Sequence, residues 1–452
     1  LNIFIMSKTV EEIYQTQTLL ESILKRPDTY VGSVKPNEKK CYIYDIFSKK
    51  IINKKIVFPP GLYKIFDEIL VNAADNFQRK VGMKNLLVEI NKEHNFISIY
   101  NDGKGVPVEM HKTEKCWTPE LVFGKLLTSS NYNDNEKKTT GGRNGYGAKL
   151  TNIYSKKFVL ETYYSSKKLS YKQVWQNNMK IKNDPEIEKT KKKLKDFTKI
   201  TFYPDFEKFG MKKLDDDIIS LLSKRVIDIA GTSSGKINVF LNNEKINIQN
   251  FSEYVNLYFN TDKPLIYKKL NNRCEIVLAQ SVNDLYQHIS FVNSIFTGDG
   301  GDHVEYIQKQ ISKYILKYID KGKKNISIKE TSIKNYLFIF VNCLIDNPAF
   351  NSQTKDKLTT KYKNFGTNMN IPENILKKTT SLGIISKLEF LAAFKESRLL
   401  KKTDGKKKYR ISGIPKLVDA NKAGTKESYK CTLIITEGDS AKALALSGIS
   451  KI

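Results

Sequence analysis

The chain has 452 residues, which is too long for one ordinary domain and predicts two or three. Its hydrophobic fraction of 40% is enough for packed cores, no apolar run predicts a membrane span, and the five scattered cysteines indicate a reduced intracellular protein without zinc or disulfides. The net charge of +28 favours a polyanionic partner, either nucleic acid or an anionic membrane surface, although an AT-rich genome that enriches Lys, Asn and Ile would give the same composition.

The first half of the chain alternates helical and strand patterns. LNIFI before Met6 is too short for a signal sequence, and we interpret it as an upstream or artificial extension. A helical pattern covers about 10–26 and breaks at RPDTYVGS, and a second predicted helix is 62-LYKIFDEILVNAADN-76. Further along, a helix is predicted near 215–230, and alternating apolar residues predict strands at 86–90, 96–100, 157–164, 199–204 and 237–242.

The pattern of predicted helices and strands changes near residue 245. Strands are predicted at 274–280, 289–297 and 336–346, with a long helix from about 303 to 320. The basic segment 401–410 is typical of a linker, and 431-CTLIIT-436 predicts a strand followed by an acidic turn and a helix start. The chain therefore divides at roughly 245 and 410.

Polar residues share one face of the predicted helix at 62–76. At 100° per residue, Glu68, Asn72, Asp75 and Asn76 lie at about 0°, 40°, −20° and 80°. Burial of these groups without partners is costly, so we expect them to line a wet or ligand-filled cavity rather than a solvated face. A glutamate can act there as general base, and an asparagine carbonyl one turn later is a hard ligand for magnesium.

Two short segments are weaker signals. In 101-NDGKGVP-107, the glycines predict a tight turn against a flat ring, with Asn101 or Asp102 accepting from an adenine amino group, although most such segments are only turns. The hydroxyls of 128-TSSN-131 can meet ribose or phosphate, or can cap a helix.

The segment 139-TTGGRNGYGAKLTN-152 is a glycine loop that runs into a helix. Its backbone amides at a positive helix end suit phosphate binding. It has neither the GK[ST] of a P-loop nor the GxGxxG of a dinucleotide-binding turn, which leaves a lid-like loop that works with the helix of Glu68.

In this order along the chain, the helix of Glu68, the turn at 101–107, the segment 128–131 and the glycine loop resemble one ATP-binding fold. It is the fold shared by type II topoisomerases, mismatch-repair ATPases, heat-shock chaperone ATPases and histidine kinases. Histidine kinases are disfavoured because no phosphoacceptor region is found among four histidines. RPDTYVGS, EILVNAADN with GGRNGYGAKLTNIYS, and SQTK with TEGDSAK together resemble eukaryotic-type DNA topoisomerase II, from about Lys8 to the C-terminus.

The resemblance implies an α+β chain with several domains. A GHKL-type ATPase sandwich of helices on a mixed sheet, with an N-terminal strap, would cover 7–245, and a ribosomal-protein-S5-like α/β transducer domain would cover 246–408. A linker over 409–428 would lead to the first strand and helix of a TOPRIM domain over 429–452. The implied cofactors are ATP and Mg²⁺, and the implied partners are double-stranded DNA in the nucleus and a second copy of the chain on ATP binding, with no membrane.

The resemblance also implies roles for matching positions. Glu68 would be the general base and Asn72 the magnesium ligand, in a pocket with Asp75 and Asn76. Many relatives carry aspartate where Asn101 stands, but the following GxG spacing favours Asn101 over Asp102 as the adenine contact. The remaining ATP contacts would come from Ser129, Ser130, Asn131, Gly142, Arg143, Asn144, Gly145, Tyr146, Gly147, Ala148 and Lys149.

Further implied contacts come from outside the first domain's core. In the SQTK loop, Lys355 would contact the γ-phosphate with Gln353 assisting and Thr354 nearby, and Tyr14 of the strap would reach the partner's nucleotide. The tract 321-KGKKN-325 would bind DNA phosphates through Lys321, Lys323 and Lys324, or would be an ordinary solvated loop.

Glu437 resembles the first acidic ligand of the topoisomerase metal site. Since one carboxylate is a poor cage for magnesium, we expect ATPase activity but no DNA cleavage from this chain alone. The alternatives are a chaperone or mismatch-repair ATPase, which the EGDSAK segment argues against, and a non-enzymatic nucleic-acid-binding protein, for which the charge alone would suffice.

Overall fold

The structure is a computed structural model that describes residues 10–79, 81–129, 135–142, 144–191, 194–260, 264–321, 328–403 and 417–449. Its helices are α1 (Val10–Ile13), α2 (Leu19–Lys25), α3 (Pro27–Tyr30), α4 (Pro60–Gln78), α5 (Thr118–Gly124), α6 (Gly147–Ile153), α7 (Asp216–Ser233), α8 (Phe251–Asn256), α9 (Asp302–Lys321), α10 (Glu330–Asn335), α11 (Glu373–Lys378), α12 (Ile384–Thr403) and α13 (Asp439–Ile449). Its strands are β1 (Asn37–Asp45), β2 (Lys50–Phe58), β3 (Asn85–Asn91), β4 (Phe96–Asp102), β5 (Ser155–Tyr164), β6 (Leu169–Gln176), β7 (Ile181–Lys182), β8 (Glu186–Lys189), β9 (Phe197–Pro204), β10 (Asn238–Leu241), β11 (Glu244–Lys245), β12 (Ile266–Asn271), β13 (Cys274–Gln280), β14 (Gln287–Val292), β15 (Ile295–Phe296), β16 (Gly300–Gly301), β17 (Leu337–Cys343) and β18 (Lys357–Leu358).

The described residues form two compact units. The larger unit takes in the described parts of Leu1–Ala279, Gln287–Lys309 and Phe338–Ile371, and contains the sheets. The smaller unit comprises the described parts of Gln280–Tyr286, Gln310–Leu337 and Pro372–Ile452, and is helical. None of the helices in the described part of the chain has the length and hydropathy needed to cross a bilayer.

A mixed sheet forms the first layer of the larger unit. Its strand order is β11-β10-β3-β4-β9-β5-β6-β7, with β8 beside β6. β3 and β4 pair antiparallel, as their alternating sequences predict, and β10 returns parallel to β3. The helices α4, α6 and α7 contact this sheet. The predicted GHKL-type arrangement of helices on a mixed sheet is therefore confirmed.

A second sheet in the same unit has the strand order β12-β13-β17-β14-β15. Every residue of β17 is buried, which fits a sequence that is apolar at every position except Asn342. The core beneath this sheet is continuous with the core beneath the first sheet. Phe340 marks the junction, since its ring centroid lies 4.2 Å from that of Phe338 and 5.2 Å from that of Tyr258.

Two predicted elements are divided in the structure. The helical pattern at 10–26 becomes α1 and α2, because Thr18 and Glu21 form a reciprocal capping box that starts a new helix. The strand predicted at 289–297 becomes β14 and β15, separated by Asn293 and Ser294 with φ of 51° and 64°. Positive φ at both central residues is typical of a two-residue hairpin turn.

The strand predicted at 431–436 is wrong. The segment has no regular secondary structure and pairs with no described strand, and Leu433 and Ile435 are 77% and 84% exposed. A short apolar segment alone does not make a strand, because its backbone needs a neighbouring strand for hydrogen bonds. The helix start predicted after it is present as α13. The linker predicted at 401–410 lies mostly outside the described residues, and α12 ends within it at Thr403.

The buried imidazole of His303 on α9 generates a stability prediction. His303 is fully buried, its Nε2 lies 3.2 Å from the Thr297 hydroxyl, and burial together with His288 lowers its pKa to about 3. In the unfolded chain a histidine binds a proton below a pH of about 6.5, so stability is lost as the pH falls from there towards 3. From pH 7 to pH 5 we expect this residue to contribute a loss of about 2 kcal/mol.

Denaturant unfolding of wild type and His303→Gln at both pH values measures this contribution. The acid-induced loss should be smaller in His303→Gln by about that amount, whereas His94→Gln, which changes an exposed histidine, should behave like wild type. An equal acid-induced loss in all three proteins would contradict the prediction.

Candidate active site

A cavity of about 740 Å³ opens in the larger unit beside α4. Its size lies within the range of small-molecule sites. The wall is built from α4, the end of β4 with the turn after it, the glycine loop with the start of α6, and the loop that carries Gln353 and Lys355. Residues distant in the sequence therefore converge on one chamber.

The polar face of α4 forms one wall of the cavity, as its spacing predicts. Glu68, Asn72, Asp75 and Asn76 all line it, with Glu68 and Asp75 buried and the two asparagines half-buried. The helix is buried around most of its circumference, so its polar residues can be accommodated only where they find partners.

Two lysines hold the carboxylate of Glu68. Its Oε1 lies 2.8 Å from Lys64 Nζ and 3.2 Å from Lys355 Nζ, and all three side chains are at least nine-tenths buried. Burial favours the neutral acid, but Lys355 and Lys64 outweigh it and lower the pKa of Glu68 to about 2. The carboxylate is therefore ionised at any physiological pH.

Lys64 was missed by the sequence analysis. Although burial opposes its charge, Glu68 and Asp67 raise the pKa of Lys64, so it remains an ammonium. Its Nζ also donates to the Thr354 carbonyl oxygen at 3.1 Å. The available signal was its place four residues before Glu68, one turn back on the same helix face.

One end of the glycine loop is hydrogen-bonded to α4, and the other end lies close against it. The amides of Gly141 and Gly142 donate to the two carboxylate oxygens of Asp75 at 2.6 and 2.9 Å. Burial raises the pKa of Asp75, and these two hydrogen bonds oppose that effect. At the other end, a Cβ on Gly147 would lie 2.2 Å from Glu68 Oε2, so a larger residue there would force the carboxylate to move. Asp75 therefore shapes the loop with both of its oxygens.

The side chains of the loop reach other walls of the cavity. The Asn144 amide donates to Gln353 Oε1 at 2.8 Å, which joins the glycine loop to the loop of Lys355. Lys149 donates to the Thr128 carbonyl at 2.7 Å, and burial lowers the pKa of Lys149 to about 8. Gly145, Tyr146 and Ala148 also line the cavity.

The bases of these two loops are joined through Asn293, which the sequence analysis also missed. The fully buried Asn293 amide donates to the Thr140 and Ile345 carbonyls at 3.3 and 2.9 Å, and its Oδ1 accepts from the Ile345 amide at 2.8 Å. Asn347 adds a second junction, since its backbone amide donates to the Lys138 carbonyl at 2.9 Å. A turn residue is a weak sequence signal, because its partners are more than 50 positions away.

The structure distinguishes Asn101 from Asp102. The Asp102 carboxylate accepts from the Lys84 and Asn85 amides and from the Asn85 side chain at 2.6 to 2.8 Å, so structural contacts occupy it. Asn101 lines the cavity, and its Nδ2 donates to the Asp102 carbonyl at 3.0 Å. Asn76 fixes the turn below by donating to the Lys104 carbonyl at 3.3 Å. These contacts favour Asn101 as the ligand-facing residue.

Several predicted residues lie elsewhere. Thr354 does not line the cavity, and its hydroxyl donates to Asp356. Tyr14 is 79% exposed, away from the cavity of its own chain. Ser129 lines the cavity. Five other predicted residues lie outside the described part of the chain: Ser130, Asn131, Arg143, Lys323 and Lys324. For Lys321, only the backbone is described.

The predicted metal ligands differ in their surroundings. Asn72 offers an amide oxygen in the cavity one turn from Glu68, and a single protein ligand suits Mg²⁺ that is otherwise held by phosphates and water. Glu437 is exposed, and no group of three acidic, histidine or cysteine residues that could hold a metal occurs among the described residues.

Comparison with known proteins relates this site to a family. The model "Histidine kinase-, DNA gyrase B-, and HSP90-like ATPase" matches residues 58–206, and "DNA gyrase B" matches 237–397. DNA topoisomerase 2 of Pisum sativum is 50% identical over 99% of this chain, and that of Saccharomyces cerevisiae is 49% identical over 97%. The chain spans about a third of the length of these curated relatives.

A solved structure covers the same region. The crystal structure of the ATPase region of Saccharomyces cerevisiae topoisomerase II is 49% identical, matches with a TM-score of 0.81, and covers 84% of this chain and 100% of its own. Fold and sequence agree, and the chain belongs to the eukaryotic DNA topoisomerase 2 family, within its ATPase region.

Proposed function

We propose that this chain is the ATP-hydrolysing gate of a type II DNA topoisomerase. ATP binding would dimerise the gate around a DNA segment in the nucleus, and hydrolysis would reset it. The observation that carries the proposal is the buried Glu68 carboxylate, ionised between two lysines at the wall of a cavity that a glycine loop borders.

The nucleotide would lie along α4. Asn101 and Asn76 would contact the adenine end, Ser129, Ser130 and Asn131 would lie near ribose and phosphate, and residues 142–149 would wrap the triphosphate. The positions of Asn101 on β4 and of Lys355 on a separate loop, both lining the cavity, support this orientation, because Asn101 offers an amide for hydrogen bonding and Lys355 a cation for phosphate.

The chemistry would take place at the Glu68 end. An ionised, buried carboxylate can accept a proton from an attacking water, and Lys355 with Gln353 would stabilise the charge that develops on the γ-phosphate. Asn72 would hold Mg²⁺, which neutralises phosphate charge when bound. Asp75 would act indirectly, by holding Gly141 and Gly142 in the loop.

The domain boundaries and partners belong to the same proposal. An ATP-binding domain over 7–245 and a transducer domain over 246–408 are supported by the two family matches, which cover 58–206 and 237–397 and place the change of family shortly before the proposed boundary. The proposal also includes a linker over 409–428 and the start of a TOPRIM domain over 429–452, with Glu437. It further includes DNA contacts by Lys321, Lys323 and Lys324 and a dimer contact through Tyr14. The exposure of Tyr14 is compatible with a contact to a second copy.

Replacing the base tests the proposal most directly. Glu68→Gln keeps the shape of the side chain but cannot take a proton, so we expect hydrolysis to fall at least about 100-fold. Binding of a non-hydrolysable ATP analogue should stay within about threefold, because the chemical step rather than the pocket is lost. Steady-state ATPase assays and analogue titration measure the two effects. As a control, Glu38→Gln changes an exposed glutamate that is paired with Lys55, and its ATPase activity should match wild type. Near-normal ATP turnover by Glu68→Gln would reject the assignment of Glu68 as the base.

Gly147 gives a steric test of the same carboxylate. In Gly147→Ala the added Cβ would lie 2.2 Å from Glu68 Oε2, so the carboxylate must move, and we expect kcat for ATP to drop about tenfold or more. Gly448→Ala adds the same methyl group where no atom lies within 4 Å, and its kcat should be unchanged. Wild-type rates of ATP hydrolysis in both variants would contradict the close approach of Gly147 to the Glu68 carboxylate.

Gate closure predicts a change of mass. The chain should be mainly monomeric without nucleotide and dimeric with a non-hydrolysable ATP analogue and Mg²⁺, because a ligand that binds the closed form better shifts the population towards it. Light scattering detects the doubling, and Glu68→Gln should show it with ATP itself, since binding rather than hydrolysis closes the gate. A mass that does not respond to the analogue would count against the gate.

A further inference from the structure

Lys64 is a buried cation that the proposed chemistry does not use. It is only 5% exposed and does not line the cavity. Its Nζ nevertheless contacts Glu68 Oε1 at 2.8 Å, the Thr354 carbonyl at 3.1 Å and Asp67 Oδ2 at 3.9 Å. It thus joins the expected base to the backbone of the loop that carries Lys355.

The acidic partner of Lys64 on its other side is anchored independently. Asp67 Oδ1 accepts from Arg225 Nε at 2.7 Å, and Arg225 Nη2 donates to the Ser294 carbonyl at 2.6 Å. Arg225 is fully buried on α7, and Ser294 lies in the turn between β14 and β15. Asp67 is therefore held by Arg225 of α7 and, through Arg225, by the turn at Ser294, so that Lys64 lies between an anchored carboxylate and Glu68.

The two lysines have different freedom to leave Glu68. Lys355 lines the cavity on a loop, where a triphosphate would compete for its ammonium, whereas Lys64 is enclosed on α4. Both share the same oxygen, Oε1 of Glu68. If Lys355 were drawn to a phosphate and Lys64 were absent, Glu68 would be a buried carboxylate without a cation, which is a strongly unfavourable arrangement.

We propose that Lys64 is a positioning residue, which keeps Glu68 oriented and ionised while Lys355 moves to the triphosphate, and which links Glu68 to the Lys355 loop through the Thr354 carbonyl. This inference rests on the proposed ATPase function. Since Lys64 acts through Glu68 and does not face the nucleotide, its removal impairs the chemical step and leaves nucleotide binding nearly intact.

The test compares Lys64→Met, Lys64→Gln and Lys55→Met in ATP hydrolysis and in analogue binding. Lys55 is the matched control, because it pairs with Glu38 at 3.0 Å on the exposed surface of β1 and β2. We expect Lys64→Met to lower kcat by about tenfold to 100-fold, as displaced catalytic groups do, with KM and the analogue Kd within about threefold. Lys55→Met should match wild type.

The double variant Lys64→Met/Glu68→Gln tests whether Lys64 acts through Glu68. Its residual rate should equal that of Glu68→Gln alone, because residues that act as a unit are not additive. A further drop in the double variant, or a Lys64→Met variant whose kcat is normal or whose loss falls on KM, would overturn the inference. If thermal melting shows that Lys64→Met does not fold, Lys64→Gln, which keeps a donor for Thr354, gives the same readout.

The outcomes for the two proposals are separable. Wild type without ATPase activity would reject the proposed function. Active wild type with inactive Glu68→Gln and fully active Lys64→Met would reject the role of Lys64 alone.

Discussion

The site depends on one ionised carboxylate in a nearly dry environment. Glu68 is 3% exposed, and a lone carboxylate at such a position would take up a proton. Lys64 and Lys355 reverse that preference, at 2.8 and 3.2 Å from the same oxygen. The second oxygen then faces Gly147, where any larger residue would collide with it. The sequence requirement for glycine at the start of α6 therefore follows from the carboxylate.

The same helix connects the site to the rest of the unit. On one side of α4, Asp75 accepts two amides of the glycine loop, and on another side Asp67 binds Arg225 of α7. Buried ion pairs are weak sources of net stability but are strongly destabilising when one partner is removed. We interpret this arrangement as specifying the position of α4 rather than as strengthening the fold.

Sequence patterns predicted the helices and strands whose apolar and polar residues recur at regular spacing within the local sequence. The α4 face with Glu68, Asn72, Asp75 and Asn76 followed from helical spacing. Asn101 was preferred to Asp102 because of the GxG spacing, and the structure favours the same residue on different grounds, since Lys84 and Asn85 occupy the Asp102 carboxylate. Lys64 and Arg225 were missed because a lysine or arginine in a basic chain carries no local sign of burial. The isolated segment 431–436 was misjudged because its sequence does not show whether a partner strand exists.

The junction at Asn293 explains why loops so far apart in sequence can form one site. Asn293 binds both Thr140, at the base of the glycine loop, and Ile345, at the base of the loop that carries Lys355. The next residue, Ser294, accepts from Arg225, whose partner Asp67 neighbours Glu68 on α4. A two-residue turn of the second sheet thus contacts the bases of both loops that border the cavity, and it reaches the helix of the carboxylate through Arg225. Displacing either loop base or Arg225 would break a buried hydrogen bond to this turn, which is a physical basis for coupling between them.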